Sequence, residues 1–255
     1  MPIAALRGID VHFEHGGDGR RVLVLTGSGS TLASTGWLLD RLRARCEVLA
    51  HDQRGLGLTS TPEVTPSMRD FALDALALAD HVGWQRFGLV GISFGGMVAQ
   101  ELAVTAPERV DRLALLCTSP GGGGGSSYPL HELGPGDATP TLLDTRFTPE
   151  WLARHPEAAP LAARFGENRD AARPTGATMQ LEARATHDVW DRLPAIACPT
   201  FVAAGRYDGI APLANSEAIV SRITGASLHV YDGGHTFFVQ DPQALVDTVD
   251  FLAAD

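Results

Sequence analysis

Apolar and polar positions along the chain fall into two recurring rhythms. Arg21–Leu25 is a short, unbroken apolar run closed by Gly27, and Cys46–His51, Phe87–Ile92, Arg112–Cys117, Thr200–Ala204 and Ser227–Tyr231 repeat the type. Runs of this length without alternation predict strands buried on both faces. Ile3–Leu6 and Ile9–Glu14, split by Arg7-Gly8 and ended by Gly16-Gly17, predict an opening hairpin. Between the runs, apolar residues recur at helical spacing over Thr35–Ala44, Ser67–Val82, Phe94–Thr105, Leu213–Ile223 and Pro242–Leu252, with Pro107 stopping the third. Strands alternating with helices predict an α/β fold, a mostly parallel eight-stranded sheet with helices on both faces.

One stretch breaks the rhythm. From about Pro120 to Leu193 no buried strand appears, so a core domain of 1–120 and 194–255 is expected, with an insertion at 121–193 after the sixth strand. The insertion opens with the glycine run Gly121–Gly125, which reads as a flexible surface linker or as a hinge at the rim of a pocket. A small helical cap follows over about Thr139–Asp191, with helices expected at Pro149–Arg154, Ala158–Phe165 and Thr175–His187.

Composition narrows the function. All 20 Lys+Arg residues are arginine, and 30 Asp+Glu bring the net charge to -10. Chemistry that needs a lysine, whether a Schiff base or a phosphate loop, is excluded. An acidic chain lacks the footprint of a nucleic-acid binder. No apolar run approaches the roughly 20 residues of a membrane span, and the N-terminus carries no basic-then-apolar signal. Cys46, Cys117 and Cys198 form no CxxC pair and read as reduced, buried thiols, consistent with a cytoplasmic protein. No cofactor and no metal is called for.

The chemistry-bearing signal is Gly91-Ile92-Ser93-Phe94-Gly95-Gly96, directly after a strand pattern and directly before a helical one. Glycines two residues either side of Ser93 remove the Cβ atoms that would clash in so tight a corner, leaving its Oγ exposed. A serine hydroxyl needs a base to become a nucleophile. Of the nine histidines, only His235 lies in a loop just after the last predicted strand. The imidazole in turn needs an orienting carboxylate, and Asp208 follows the strand Phe201–Ala204 in Gly205-Arg-Tyr-Asp208-Gly-Ile-Ala-Pro212. Loops after parallel strands share one sheet edge, so Ser93, Asp208 and His235 can converge, in a chain order known for such triads. Backbone N–H groups of Phe94, at a helix start, and of Ser28, in Thr26-Gly27-Ser28-Gly29-Ser30, are candidates for an oxyanion hole.

These segments together resemble the α/β-hydrolase superfamily over essentially the whole chain. His51-Asp52-Gln53-Arg54-Gly55-Leu56-Gly57-Leu58-Thr59-Ser60 resembles the D-x-R-G-x-G-x-S segment of a branch that holds 3-oxoadipate enol-lactonases, cofactor-free haloperoxidases, small esterases and C–C bond hydrolases. The cap exit Trp190-Asp-Arg-Leu-Pro194-Ala-Ile-Ala-Cys-Pro199-Thr fits the same branch, and Arg54 is expected to pin loops. Ser93 at the elbow, where aspartate would stand, argues against haloalkane dehalogenases and epoxide hydrolases. Thr26-Gly27 replaces the usual His-Gly of the oxyanion loop.

The resemblance implies a serine hydrolase acting on a small ester or lactone through an acyl-enzyme. Trp37, Tyr128, Trp151, Trp190 and Phe237 are the candidate substrate contacts. Competing readings are perhydrolysis or C–C cleavage on the same fold, and a ligand-binding protein that keeps its triad without turnover. A dinucleotide-dependent oxidoreductase is weaker, because Leu32 stands where the third glycine after Gly27-x-Gly29 belongs.

Overall fold

Side chains along β3 (Arg20–Leu25) leave alternately to the two faces of the sheet, and both faces are buried. Leu23 and Leu25 join one apolar cluster, with Leu89, Leu113 and Val202; Val22 and Val24 join the other, with Val48, Val90 and Ala203. This is why the strands read as unbroken apolar runs. The computed structural model describes residues 2–126, 146–158 and 175–254. Its eight strands are β1 (Ile3–Leu6), β2 (Ile9–Gly16), β3, β4 (Cys46–His51), β5 (Phe87–Ile92), β6 (Val110–Leu116), β7 (Thr200–Gly205) and β8 (Ser227–Tyr231). They stand in the order β1-β2-β4-β3-β5-β6-β7-β8. The β1–β2 and β2–β4 pairs are antiparallel and the rest parallel, with Leu23 in register with both Leu49 and Leu89. The architecture is the expected α/β one, a mostly parallel sheet with helices on both faces, and the segment without buried strands follows the sixth strand.

The helices cover the faces by the same alternation. On one side α2 (Met68–His81), α3 (Phe94–Thr105) and α6 (Leu213–Arg222) contribute Phe71, Phe94 and Ile219. On the other, α1 (Leu32–Arg43) and α8 (Gln243–Ala253) contribute Leu39, Leu42, Val249 and Leu252. Each such side chain taken from water contributes about 1.5–3 kcal/mol. Helix α1 begins three residues before its apolar periodicity does. Thr31 accepts the Ser34 N–H while the Ser34 hydroxyl receives the Thr31 N–H, a reciprocal cap that fixes the start. Strand β6 begins and ends earlier than its pattern, and Cys117 turns out of it at φ 43°.

Two short cap helices are α4 (Pro149–Arg154) and α5 (Thr175–Ala185). The helix expected at 158–165 lies outside the described residues, except Ala158, which ends a 3-10 turn. A short helix not foreseen, α7 (Phe237–Gln240), follows β8. The glycine run packs closely against the segment that leaves the cap. Gly121 bridges Asp188, and Gly122–Gly124 make a 3-10 turn against Trp190. A Cβ on Gly124 would lie 2.0 Å from the Trp190 ring, so side chains there are excluded by contact. Among the described residues no helix is long and apolar enough to cross a membrane.

Candidate active site

Parallel strands deliver their C-terminal ends to one edge, and the sequence-predicted residues meet there. Ser93 follows β5 at φ 55° and ψ -117°, a conformation that side chains rarely adopt. Neighbouring bonds hold it: Ser93 N–H donates to the Leu116 carbonyl (2.9 Å), and its own carbonyl accepts from the Thr118 hydroxyl (2.9 Å) and Gly96 N–H (2.9 Å). The glycines are needed for proximity. A Cβ on Gly95 would sit 2.1 Å from the Leu25 carbonyl oxygen, and one on Gly91 would sit 2.4 Å from that of Gly95. Strain of this kind costs about 1–3 kcal/mol and persists because the surroundings over-determine it.

The loops after β7 and β8 are tied to each other before their side chains meet. Arg206 N–H donates to Tyr231 O (2.9 Å) and Tyr207 N–H to Gly233 O (2.9 Å). His235 Nδ1 then lies 2.8 Å from Asp208 Oδ2, and His235 Nε2 lies 2.9 Å from Ser93 Oγ. The other Asp208 oxygen accepts from the N–H groups of Ile210 (2.8 Å) and Ala211 (2.9 Å). A carboxylate only accepts, so Nδ1 carries the imidazole proton and Nε2 is left to accept from the serine hydroxyl. Asp208 and His235 are both buried, which strengthens the attraction between the carboxylate and an imidazolium. Burial, reinforced by the charge of Asp208, pushes the nearby Cys117 thiol well above its usual range, so no thiolate competes with Ser93.

The loop after β3 lies beside the serine: a Cβ on Gly27 would be 3.5 Å from Ser93 Cβ. Among the described residues, neither Ser28 nor Phe94 gives its N–H to a loop or turn carbonyl. Phe94 is the first residue of α3, where an N–H has no partner within the helix. Its ring packs edge-on to Phe71 in the core, 5.2 Å between centroids. Together these groups can attack an acyl carbon, move a proton and hold a developing oxyanion.

Among the described residues, the aromatic candidates pack in separate surroundings. Phe237 has no exposed surface, and its ring stacks on Tyr231 at 5.5 Å, so it belongs to the core and not to a pocket wall. Trp37 is 47% exposed and stacks on Phe238. Trp190 packs on the glycine run beneath the Arg222 guanidinium, 4.8 Å from its ring centre. Trp151 stacks between Phe147 and His155 within the cap. Tyr128 lies outside the described residues.

Polar residues outside the Ser93–His235–Asp208 series organise the edge, among them Asp52 and Arg54 of the segment singled out in the sequence. The Arg146 carbonyl accepts from Thr236 N–H (3.0 Å), the Thr236 hydroxyl (2.7 Å) and Gln240 Nε2 (2.9 Å), holding a cap segment beside His235. Asp52 accepts from Leu32 N–H (2.7 Å), Leu58 N–H (3.0 Å) and the His12 ring (2.6 Å). Arg54 pairs with buried Asp74 of α2, through Nη2 at 2.7 Å and through Nε, and so ties its loop to the core. At the far edge of the sheet a cavity of about 90 Å³ is lined by arginines, of which Arg86 pairs with Asp111 (2.7 Å) and Arg21 with Glu47 (3.5 Å). Ser93, Asp208 and His235 do not line it.

A family profile described as alpha/beta hydrolase fold matches residues 20–242. The chain belongs to this family. Among curated α/β-hydrolase relatives, it is similar to 3-oxoadipate enol-lactonase 2 of Acinetobacter baylyi, 27% identical over 80% of this chain and 77% of the relative. It is also similar to 2-hydroxymuconate semialdehyde hydrolase of Pseudomonas sp. strain CF600, 29% identical over 96% of this chain and 91% of the relative. Among solved structures of the fold, the enol-lactonase from Burkholderia xenovorans LB400 superposes with a TM-score of 0.85 at 22% identity, covering 100% of both chains. At that identity the superposition speaks for the fold alone.

Proposed function

We propose that this α/β hydrolase is a serine hydrolase that cleaves a small carboxylic ester or lactone through an acyl-enzyme. The observation that carries the reading is the unbroken series Ser93 Oγ, His235 Nε2, His235 Nδ1, Asp208 Oδ2, with links of 2.9 and 2.8 Å, built on a serine held at φ 55°. Ser93 Oγ attacks the carbonyl carbon as His235 Nε2 takes its proton, and Asp208 stabilises the imidazolium that results. The N–H groups of Phe94 and Ser28 donate to the oxyanion as the carbon becomes tetrahedral. His235 returns the proton to the leaving oxygen. In a lactone that oxygen stays attached to the acyl group as a free hydroxyl. Water, deprotonated by His235, then opens the ester to Ser93 and regenerates the enzyme. The lactone-directed name of the Acinetobacter relative supports the substrate class.

Ser93→Ala is expected to lower kcat for a short p-nitrophenyl ester by more than about a thousandfold. A fluorophosphonate should label the wild type at Ser93 and leave the variant unlabelled. Retention of more than a tenth of wild-type turnover would refute the assignment.

A further inference from the structure

Two buried glutamines connect the cap to the loop beside Ser93. Gln53 Nε2 donates to the Thr26 carbonyl (2.9 Å), Gln180 Nε2 donates to Gln53 Oε1 (3.0 Å), and Gly29 N–H donates to Gln180 Oε1 (2.8 Å). Gln180 is 0% exposed and Gln53 2%. The direction of the series is set by its ends. A backbone N–H at Gly29 can only donate and a carbonyl at Thr26 can only accept, so each amide has one workable orientation. Ser28 lies between those two ends, and Ser30 N–H closes the turn on the Gly27 carbonyl (3.1 Å).

The seat of α5 makes this connection rigid. Gly176 presses backbone to backbone on Gly55, where a Cβ on Gly176 would lie 2.4 Å from the Gly55 carbonyl. Leu181 and Ala183 are buried on the same helix, and Glu182 accepts from the Thr65 hydroxyl (2.9 Å). Gln180 therefore projects from a fixed support, and replacing either amide strands the other among buried groups.

We propose that Gln180, acting through Gln53, is a positioning residue that holds the Thr26–Gly29 loop in register for catalysis and makes oxyanion stabilisation depend on a seated cap. The proposal rests on the reading that Ser28 lends its N–H to the oxyanion. The relay is complete with α5 in its seat, so the fit of this helix is felt in the chemical step as well as in binding. Displacement of a catalytic donor by about 1 Å can cost on the order of a hundredfold in rate.

The test uses Q180M, which keeps the volume and removes the amide, with Q53M as a second variant that probes the relay from its other end. kcat for p-nitrophenyl acetate, normalised to Ser93 sites titrated with a fluorophosphonate, is expected to fall about tenfold to a hundredfold in each. KM should stay within about threefold, and the double variant should be no worse than the poorer single one. Amide hydrogen exchange of the peptide covering 26–30 should quicken in both variants. A kcat per titrated site within twofold of wild type overturns the proposal, even if the melting temperature falls, because a structural role alone would give that pattern. Unchanged exchange at 26–30 overturns it equally. A wild type that neither turns over an ester nor labels at Ser93 would sink the hydrolase reading instead, and the exchange arm would still decide whether the relay holds the loop.

Discussion

The elbow at Ser93 and the seat of α5 flank the same few atoms, yet they are held by different physics. At the elbow, backbone packs on backbone: position 95 has no room for a Cβ against Leu25, and Ser93 is held at φ 55° by bonds from three directions. At the cap seat, the decisive contacts are side-chain amides 127 residues apart, each satisfied by the other. The first kind of restraint places the nucleophile whatever the cap does. The second ties the Thr26–Gly29 loop to α5 of the insertion. On the proposed mechanism, attack geometry is set by the sheet and charge stabilisation is shared with the insertion.

The strongest challenge to this division is at the sheet edge. Asp208→Asn keeps the shape but disturbs the imidazole's tautomer, and kcat should fall about ten-thousandfold with KM little changed. Steady-state kinetics of a cap-independent small ester would show it, and a loss under a hundredfold would mean that the sheet-side series does not govern turnover. An intermediate effect is expected at the cap exit. Burial holds the His187 imidazole down at about 4, against the pull of a hydrogen bond from its ring to the Ser119 carbonyl (3.2 Å). Nδ1 has no partner among the described residues. The unfolded chain takes up this proton first, near pH 6.5, so the neutral ring's contribution is complete above that pH and is lost as pH falls toward 4. Urea unfolding at pH 7 and pH 4.5 should show a drop that shrinks by about 2–3 kcal/mol in His187→Gln. The smallest effect tests strain directly. Ser93→Gly and Ser93→Ala both delete the hydroxyl, but only glycine is at ease at φ 55°, so the glycine variant should be the more stable by about 1 kcal/mol. Equal melting temperatures would show that the elbow stores no strain.

The same contrast explains what could be read in advance. Strand positions, the elbow and the loops carrying Asp208 and His235 follow from apolar runs and glycine spacing, which are local signals that the parallel sheet converts into proximity. The relay could not be read that way. Gln180 lies on a helix whose polar residues all look solvent-facing in sequence, and Gln53 sits in a loop whose neighbours Asp52 and Arg54 draw the attention. Phe237 misled for a related reason. An aromatic two residues after His235 reads as a pocket wall, but the chain turns there into α7 and stacks the ring on Tyr231. The start of α1 was masked because Leu32 precedes the polar Ser34-Thr35 of its own first turn. The glycine run gave no local sign of its partner, the Trp190 ring that it admits from 66 positions further along the chain.

The contact between Gly95 and the Leu25 carbonyl bears on how such a protein can diversify. Every replacement at position 95 introduces an atom where none fits, so altering it forces the backbone of the elbow or of β3 to move. On the proposal above, the amides at 53 and 180 should exact a graded penalty, and single substitutions there should yield slower proteins open to selection. Descendants of this chain should accordingly keep the elbow fixed while the speed of the step that the two amides serve drifts.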